Sequence, residues 1–252
     1  MTLTNRSQIP LSALLEGQPA NTPSFASAHV KMRAVAAKRS IMAIDGEPGT
    51  GKTTCAVYTA DVEHVPAAVV TMTDRPAPLD VLRYTYSGIT GATAPKATHY
   101  ELGNEVRGLL AGWGGVLVVD ELQNCKENAM QELVWLHETT QGAFTLVVVG
   151  SGVHAALRRH PQLRSRVMAF ATFERLAGDD VVKAARKLHP DGFAGTDDRL
   201  LHQHDAVFCR GLMRDWRTTV KWLDTLGLHG RVTAKHLALV RESVAAGTGE
   251  DQ

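Results

Sequence analysis

Short apolar runs bounded by glycine or polar residues recur along the first two thirds of the chain. They are Ile41–Ile44 (IMAI), Ala67–Met72 (AAVVTM), Val116–Val119 (VLVV) and Phe144–Val149 (FTLVVV). Runs this short suit strands rather than helices. The wholly apolar VLVV run fits a strand covered on both faces of a parallel sheet. Between the runs the apolar spacing changes to three and four. Residues 26–38 (SAHVKMRAVAAKR) offer Val30, Met32, Val35 and Ala36 to a core. Helical spacing also marks Cys55–Asp61, Leu79–Tyr86, Tyr100–Leu110 and Asn128–His137, the last with Met130, Leu133 and Val134 inward. Ser87–Thr98 (SGITGATAPKAT) reads as a loop, and Gly112–Gly115 as a break before the third strand. Four strands separated by helices predict an α/β fold, a parallel sheet flanked by helices.

After Phe173 the pattern becomes helical throughout. Val181–Leu188, Arg199–Val207, Leu212–Leu226 and Thr233–Val244 carry helical spacing, with no convincing strand between them. Three regions follow: an N-terminal arm over 1–25, broken by Pro10, Pro19 and Pro23; an α/β domain over 26–175; and a small C-terminal helical subdomain over 176–252.

Composition narrows the classes. The chain has 252 residues, 44% of them hydrophobic, enough for one large domain or a domain with an appendage. A formal net charge of +1 provides no global basic field, so any nucleic-acid contact must come from a local patch. The three cysteines, Cys55, Cys125 and Cys209, match no zinc spacing and suit a reduced compartment. No apolar run approaches a membrane span, and the opening MTLTNRSQIPLSALLEG lacks the basic start and apolar core of a signal peptide. A cytoplasmic protein without a membrane partner is expected.

The chemistry begins directly after the first strand. Gly46-Glu47-Pro48-Gly49-Thr50-Gly51-Lys52-Thr53, followed by Thr54, fits G-x-x-x-x-G-K-[ST] at every fixed position, between a strand and a helix. Loop N–H groups and the helix N-terminus converge on phosphate oxygens. Lys52 would neutralise the β- and γ-phosphates of ATP, and the Thr53 hydroxyl would ligate Mg²⁺. The third strand ends in adjacent carboxylates. Asp120 would complete the Mg²⁺ shell with Thr53, and Glu121 would act as general base toward water. Ser151, just after the fourth strand, is a candidate to orient the water or touch the γ-phosphate. Pro161-Gln162-Leu163-Arg164-Ser165-Arg166-Val167 places two arginines where one supplied across a subunit interface would stabilise phosphoryl-transfer charge. Arg214 opens a helix of the C-terminal region, where it would close a lid onto nucleotide.

These features, in this order, resemble the AAA+ superfamily: Walker A, Walker B with Glu121, sensor 1, arginine finger and sensor 2. A narrower resemblance is to the ATPase module of the phage Mu B transposition protein and its TnsC- and TniB-type relatives. It rests on GEPGTGKTT, the strand leading to Thr71-Met72-Thr73, VLVVDELQN, VVVGSG and HPQLRSRV, and covers roughly residues 26–175, with weaker support to about 227. VVDELQN resembles the VDEAQ-type box, with Gln123 two places after Glu121. The resemblance implies Arg166 as the finger, with Arg164 as second choice. It implies an ATP-hydrolysing protein that assembles as a filament or ring on double-stranded DNA, selects a transposition target and stimulates a DDE transposase. Family DNA contacts come from loops facing the inner groove, where Arg75 and Lys96 occupy suitable places. Residues 1–25 are too short for the helix-turn-helix domain that the Mu B protein carries. Two other readings share the core motifs: a helicase-loader-like ATPase, and a signalling or defence NTPase that does not act on DNA.

Overall fold

The computed structural model describes residues 19–247. Most of the expected arm, residues 1–18, lies outside the described residues, as do 248–252. The described residues form two compact units, one of residues 24–48 and 52–173, the other of residues 19–23, 49–51 and 174–247.

The first unit is built on five parallel strands: β1 (Ile41–Gly46), β2 (Ala67–Thr71), β3 (Val116–Asp120), β4 (Thr145–Gly150) and β5 (Val167–Phe173), in the order β2-β3-β4-β1-β5. Around them run α1 (Pro23–Ala37), α2 (Lys52–Val62), α3 (Pro78–Thr90), α4 (His99–Trp113), α5 (Glu127–Thr139), α6 (Val153–Arg159) and α7 (Pro161–Arg166). Strand periodicity sorts the core into two layers. Ile41, Ala43, Leu117, Val119, Leu146 and Val148 pack with Leu82, Leu102, Val106 and Leu133 on one face. Met42, Ile44, Val116, Val118, Val147 and Val149 pack with Phe25, Met32, Val35, Cys55 and Ala60 on the other. Both faces of the central strands are therefore dry, which is why those strands read as unbroken apolar runs.

Four local expectations are corrected. A fifth strand, β5, forms from VMAFATF, whose Met168 is exposed and whose register on β1 shifts between Ile41 and Met42. It is an edge strand covered less fully than the others, so its pattern is mixed rather than continuously apolar. Helix α3 extends to Thr90, through Ser87 and Gly88, and ends on Gly91 in the left-handed conformation. Gly88 is tolerated because β2 lies against it: a Cβ there would stand 2.7 Å from a Val70 methyl. Helix α1 starts at Pro23, three residues early, because proline suits a first helical turn. It buries Phe25, Ala28, Met32 and Val35 and leaves Val30 exposed, against the expected inward face.

The second unit contains α8 (Asp179–Leu188), α9 (Pro190–Phe193), α10 (Asp198–His204), α11 (Met213–Thr225) and α12 (Ala234–Gly247). Its core gathers Val181, Phe193, Leu201, Trp216, Leu223, Leu237 and Val240. The helix expected over Arg199–Val207 gives way after His204 to a wider π-turn, Asp205–Cys209. Asp205 fixes that turn. Its carboxylate accepts from Gly211 N–H at 3.0 Å and Trp216 Nε1–H at 2.9 Å. None of the described helices is long and apolar enough to cross a membrane.

Candidate nucleotide site

The carboxyl ends of β1, β3 and β4, neighbours in the sheet, carry the candidate chemistry. β1 delivers the glycine loop, and α2 starts at Lys52, so the loop runs straight into a helix N-terminus. Gly46 packs against β5 so closely that a Cβ would lie 2.4 Å from the Phe173 carbonyl oxygen, which explains the need for glycine there. The Lys52 ammonium, 7% exposed, donates to the carbonyls of Gly46 and Glu47, each at 2.7 Å. It is thus held against the glycine loop. Thr50 is buried, Glu47 and Pro48 are exposed, and Thr54 is half-buried behind Thr53.

The Thr53 hydroxyl donates to Asp120 Oδ2 at 2.6 Å, across a sequence separation of 67 residues. A hydroxyl and a carboxylate meeting at one point form the oxygen-rich, partly open donor set that suits Mg²⁺. Asp120 Oδ1 accepts from the Glu121 N–H at 2.9 Å, which turns the chain sharply at the end of β3. Glu121 sits in the left-handed region (φ 57°, ψ 40°). For a residue with a side chain this costs on the order of 1 kcal/mol or more, and such strain persists only where the surroundings enforce it. The single turn Leu122–Asn124 follows. Its Gln123 amide donates to Glu121 Oε2 through Nε2 and accepts the Ser151 N–H on Oε1 at 3.1 Å. Asn124 donates to the Met72 carbonyl at 2.9 Å.

Asp45, the last residue before the loop, accepts from the N–H groups of Gly46 and Gly152 at 2.8 Å and His154 at 2.9 Å. Burial pushes its pKa up, but those three hydrogen bonds and the neighbouring His154 more than offset it and hold the carboxyl below its usual range. Sequence reasoning passed over Asp45. Its position directly before the glycine loop, at the end of a strand, was the available signal.

The structure therefore brings Thr53, Asp120 and Glu121 together, with Ser151 joined to them through Gln123. The other candidates sit as follows. Arg166, at the end of α7, is paired with Glu138 of α5: Nε donates to Oε1 at 2.6 Å and Nη2 meets the same oxygen. Its Nη1 also donates to the Gln162 carbonyl at 2.7 Å. Arg164 is exposed on α7, where its backbone N–H donates to the His160 carbonyl at 3.1 Å. Arg214 lies in the first turn of α11; its backbone N–H donates to the Gly49 carbonyl at 3.0 Å, both residues belonging to the second unit. Arg75 is exposed in the turn after β2, with φ 52° and Asp74 at 3.9 Å. Lys96 is exposed in the loop between α3 and α4.

Comparison with curated protein sequences finds no match. Among solved structures, the chain is similar to the Aeropyrum pernix ORC1 protein in complex with DNA (TM-score 0.67, 17% identity, 90% of this chain and 66% of that one). It is also similar to Cdc6p from Pyrobaculum aerophilum (TM-score 0.63, 14% identity, 86% of this chain and 66% of that one). A third likeness is to the Thermotoga maritima RuvB Holliday junction branch migration motor (TM-score 0.58, 15% identity, 89% of this chain and 70% of that one). The chain spans slightly less than two thirds of the length of the ORC1 and Cdc6p chains. At these identities the likeness is one of fold. Residues 35–157, from the end of α1 to α6, match the family model described as an AAA domain. With its five-stranded parallel sheet, its glycine loop and its Thr53–Asp120 pair, the chain carries an AAA-type P-loop ATPase domain.

Proposed function

We propose that this protein assembles on double-stranded DNA in its ATP-bound form, selects a transposition target and stimulates a DDE transposase, with ATP hydrolysis ending the assembled state. The observation that carries the ATP part is the meeting of Thr53 and Asp120 at 2.6 Å, with Glu121 as the next residue. The DNA and transposase parts rest on the resemblance of GEPGTGKTT, VLVVDELQN, VVVGSG and HPQLRSRV to the Mu B and TnsC-type ATPases. Similarity of fold to proteins described as bound to DNA or acting on Holliday junctions is consistent with it.

Loop N–H groups and Lys52 bind and orient the phosphates, while Thr53 and Asp120 would hold Mg²⁺. When bound, the metal supplies positive charge against the phosphate oxygens. Glu121 takes a proton from water as the water oxygen bonds to the γ-phosphorus. The bond to the β–γ bridging oxygen breaks, and ADP leaves with that electron pair. Ser151 lies beside this chemistry. Arg166 of a neighbouring copy would stabilise the transferring charge, which requires it to exchange Glu138 for phosphate; the exposed Arg164 is the second candidate. Arg214 serves as the lid arginine, and Arg75 and Lys96 as DNA contacts.

The test is microscopy of the protein on double-stranded DNA with ATP·Mg²⁺ or ADP, together with ATPase rates. ATP-dependent filaments or rings and DNA-stimulated turnover are expected. Glu121→Gln should keep ATP binding, lose hydrolysis and trap the assembly. Particles unchanged by ATP and DNA would overturn the DNA-assembly reading, and full turnover by Glu121→Gln would overturn the base assignment.

A further inference from the structure

We infer that Gln123 is a positioning residue that fixes the Glu121 carboxylate to the loop after β4, so that the base and the Ser151 segment are set as one unit. The inference rests on the reading of Glu121 as the base. Three observations support it. The first is the paired hydrogen bonding of one amide: Nε2 donates to Glu121 Oε2 and Oε1 accepts from the Ser151 N–H at 3.1 Å. The amide orientation is dictated by its partners. A backbone N–H can only donate and a carboxylate can only accept, so a flipped amide would set donor against donor and acceptor against acceptor.

The second observation is room made for that amide. A Cβ on Gly150 would lie 2.0 Å from Gln123 Oε1 and 3.2 Å from the Leu122 N. Gly150 is the last residue of β4, and its absent side chain is what lets Gln123 reach the strand end. The third is the strained backbone of Glu121 itself. A residue at φ 57° whose carboxylate were free would have two sources of misplacement, backbone relaxation and side-chain rotation. The amide bridge removes the second and opposes the first by anchoring the turn to Ser151, the residue that follows β4. Asp45 holds the other side of the same loop through Gly152 and His154, so the segment to which Gln123 is tied is itself fixed. Catalytic groups displaced by as little as about 1 Å lose rate on the order of a hundredfold.

The experiment measures steady-state ATP hydrolysis by the full chain on DNA, with ATP affinity and thermal melting recorded for each variant. Gln123→Met fills the space without either hydrogen bond. Gln123→Glu keeps an acceptor for Ser151 but sets a carboxylate against Glu121. Gly150→Ala displaces the amide without altering it. Each should lower kcat at least tenfold while KM and ATP affinity stay within twofold. Gly150→Ala combined with Gln123→Met should fall no further than either alone, because both remove one bridge. Glu121→Gln runs alongside as the control for the underlying reading. If it abolishes turnover while Gln123→Met and Gly150→Ala retain or exceed wild-type kcat, the positioning role is refuted and the base stands. If Glu121→Gln itself turns over normally, the base reading fails and this inference fails with it. Should Gln123→Met not fold, Gly150→Ala decides alone on the same criterion.

Discussion

Replacing Asp45 with alanine removes one acceptor group from three backbone donors at once: Gly46 at the start of the phosphate loop, and Gly152 and His154 in the segment after β4. Hydrogen bonds to a charged group contribute about 1.5–3 kcal/mol each when they are well protected. Here Gly152 is exposed and its N–H can turn to water, and Asp45 is only half-buried. A loss of about 3 kcal/mol for the three together is therefore a fair expectation, below the simple sum. For a chain of this size that corresponds to a fall in melting temperature of about 6–12 °C. Asp45→Asn retains one carbonyl oxygen, enough for the Gly46 and Gly152 donors but not for His154, and should lose about a third as much. The assay is urea and thermal unfolding of both variants, with hydrogen exchange read at Gly46, Gly152 and His154. Because the carboxyl is held below its ordinary pKa, its stabilisation is present above pH 3.8 and lost as pH falls through the folded-state value. The wild-type advantage over Asp45→Ala should therefore narrow in acid. Equal melting points for wild type and Asp45→Ala at pH 7, or a difference unchanged in acid, would refute the claim that this carboxylate ties the loop to β4.

Two further outcomes follow from close packing and from a buried histidine. Gly46→Ala puts a methyl 2.4 Å from the Phe173 carbonyl oxygen, so β1 and β5 must part locally; a cost of about 1–3 kcal/mol and loss of ATP binding by titration are expected. In the second unit, buried His204 accepts from Arg241 on Nδ1 and donates from Nε2 to Thr219, which fixes it as neutral. Burial first, then the Arg241 charge, lowers its pKa from 6.5 to about 4. A neutral histidine so held stabilises above pH 6.5 and loses that contribution as pH falls, about 3 kcal/mol by pH 4. Hydrogen exchange of α11 should accelerate over that interval, and His204→Phe should flatten the dependence.

The strands were legible where both faces are buried. IMAI, VLVV and TLVVV are apolar because helices cover both sides, and such runs admit little else. β5 was not, because Met168 is exposed and an edge strand needs a covered face only in part. The glycine loop and the acidic pair were legible as local patterns whose spacing is itself the chemistry. Asp45 and Glu138 were not, because their partners lie 107, 109 and 28 residues away and only the sheet order or the packing of α5 on α7 brings them together. Gln123 was visible as part of a motif, yet its task depends on a glycine at the end of a different strand. The π-turn after His204 was hidden because helical spacing continues through Val207, while the interruption is imposed by Asp205 capturing Trp216 and Gly211.

The polar ties at the sheet's carboxyl edge follow the order of the strands. Asn124 reaches from the turn after β3 to Met72 beyond β2, Gln123 from the same turn to Ser151 beyond β4, and Asp45 from β1 to Gly152 and His154 beyond β4. Asp120 closes the set by holding Thr53 of α2. A parallel sheet fixes the strands relative to one another, but not the residues that leave them, since ladder hydrogen bonds stop where the strands end. Those departing residues are the ones that must be placed to within fractions of an ångström if phosphate, metal and water are to meet one base. The ties supply that placement, and those of Asn124, Gln123 and Asp45 do so with side chains bonded to backbone groups, whose positions do not depend on a rotamer. The consequence is a site whose stiffness comes from β2, β3, β4 and β1 together, so that the strained backbone at Glu121 is supported on both sides rather than by its own strand alone.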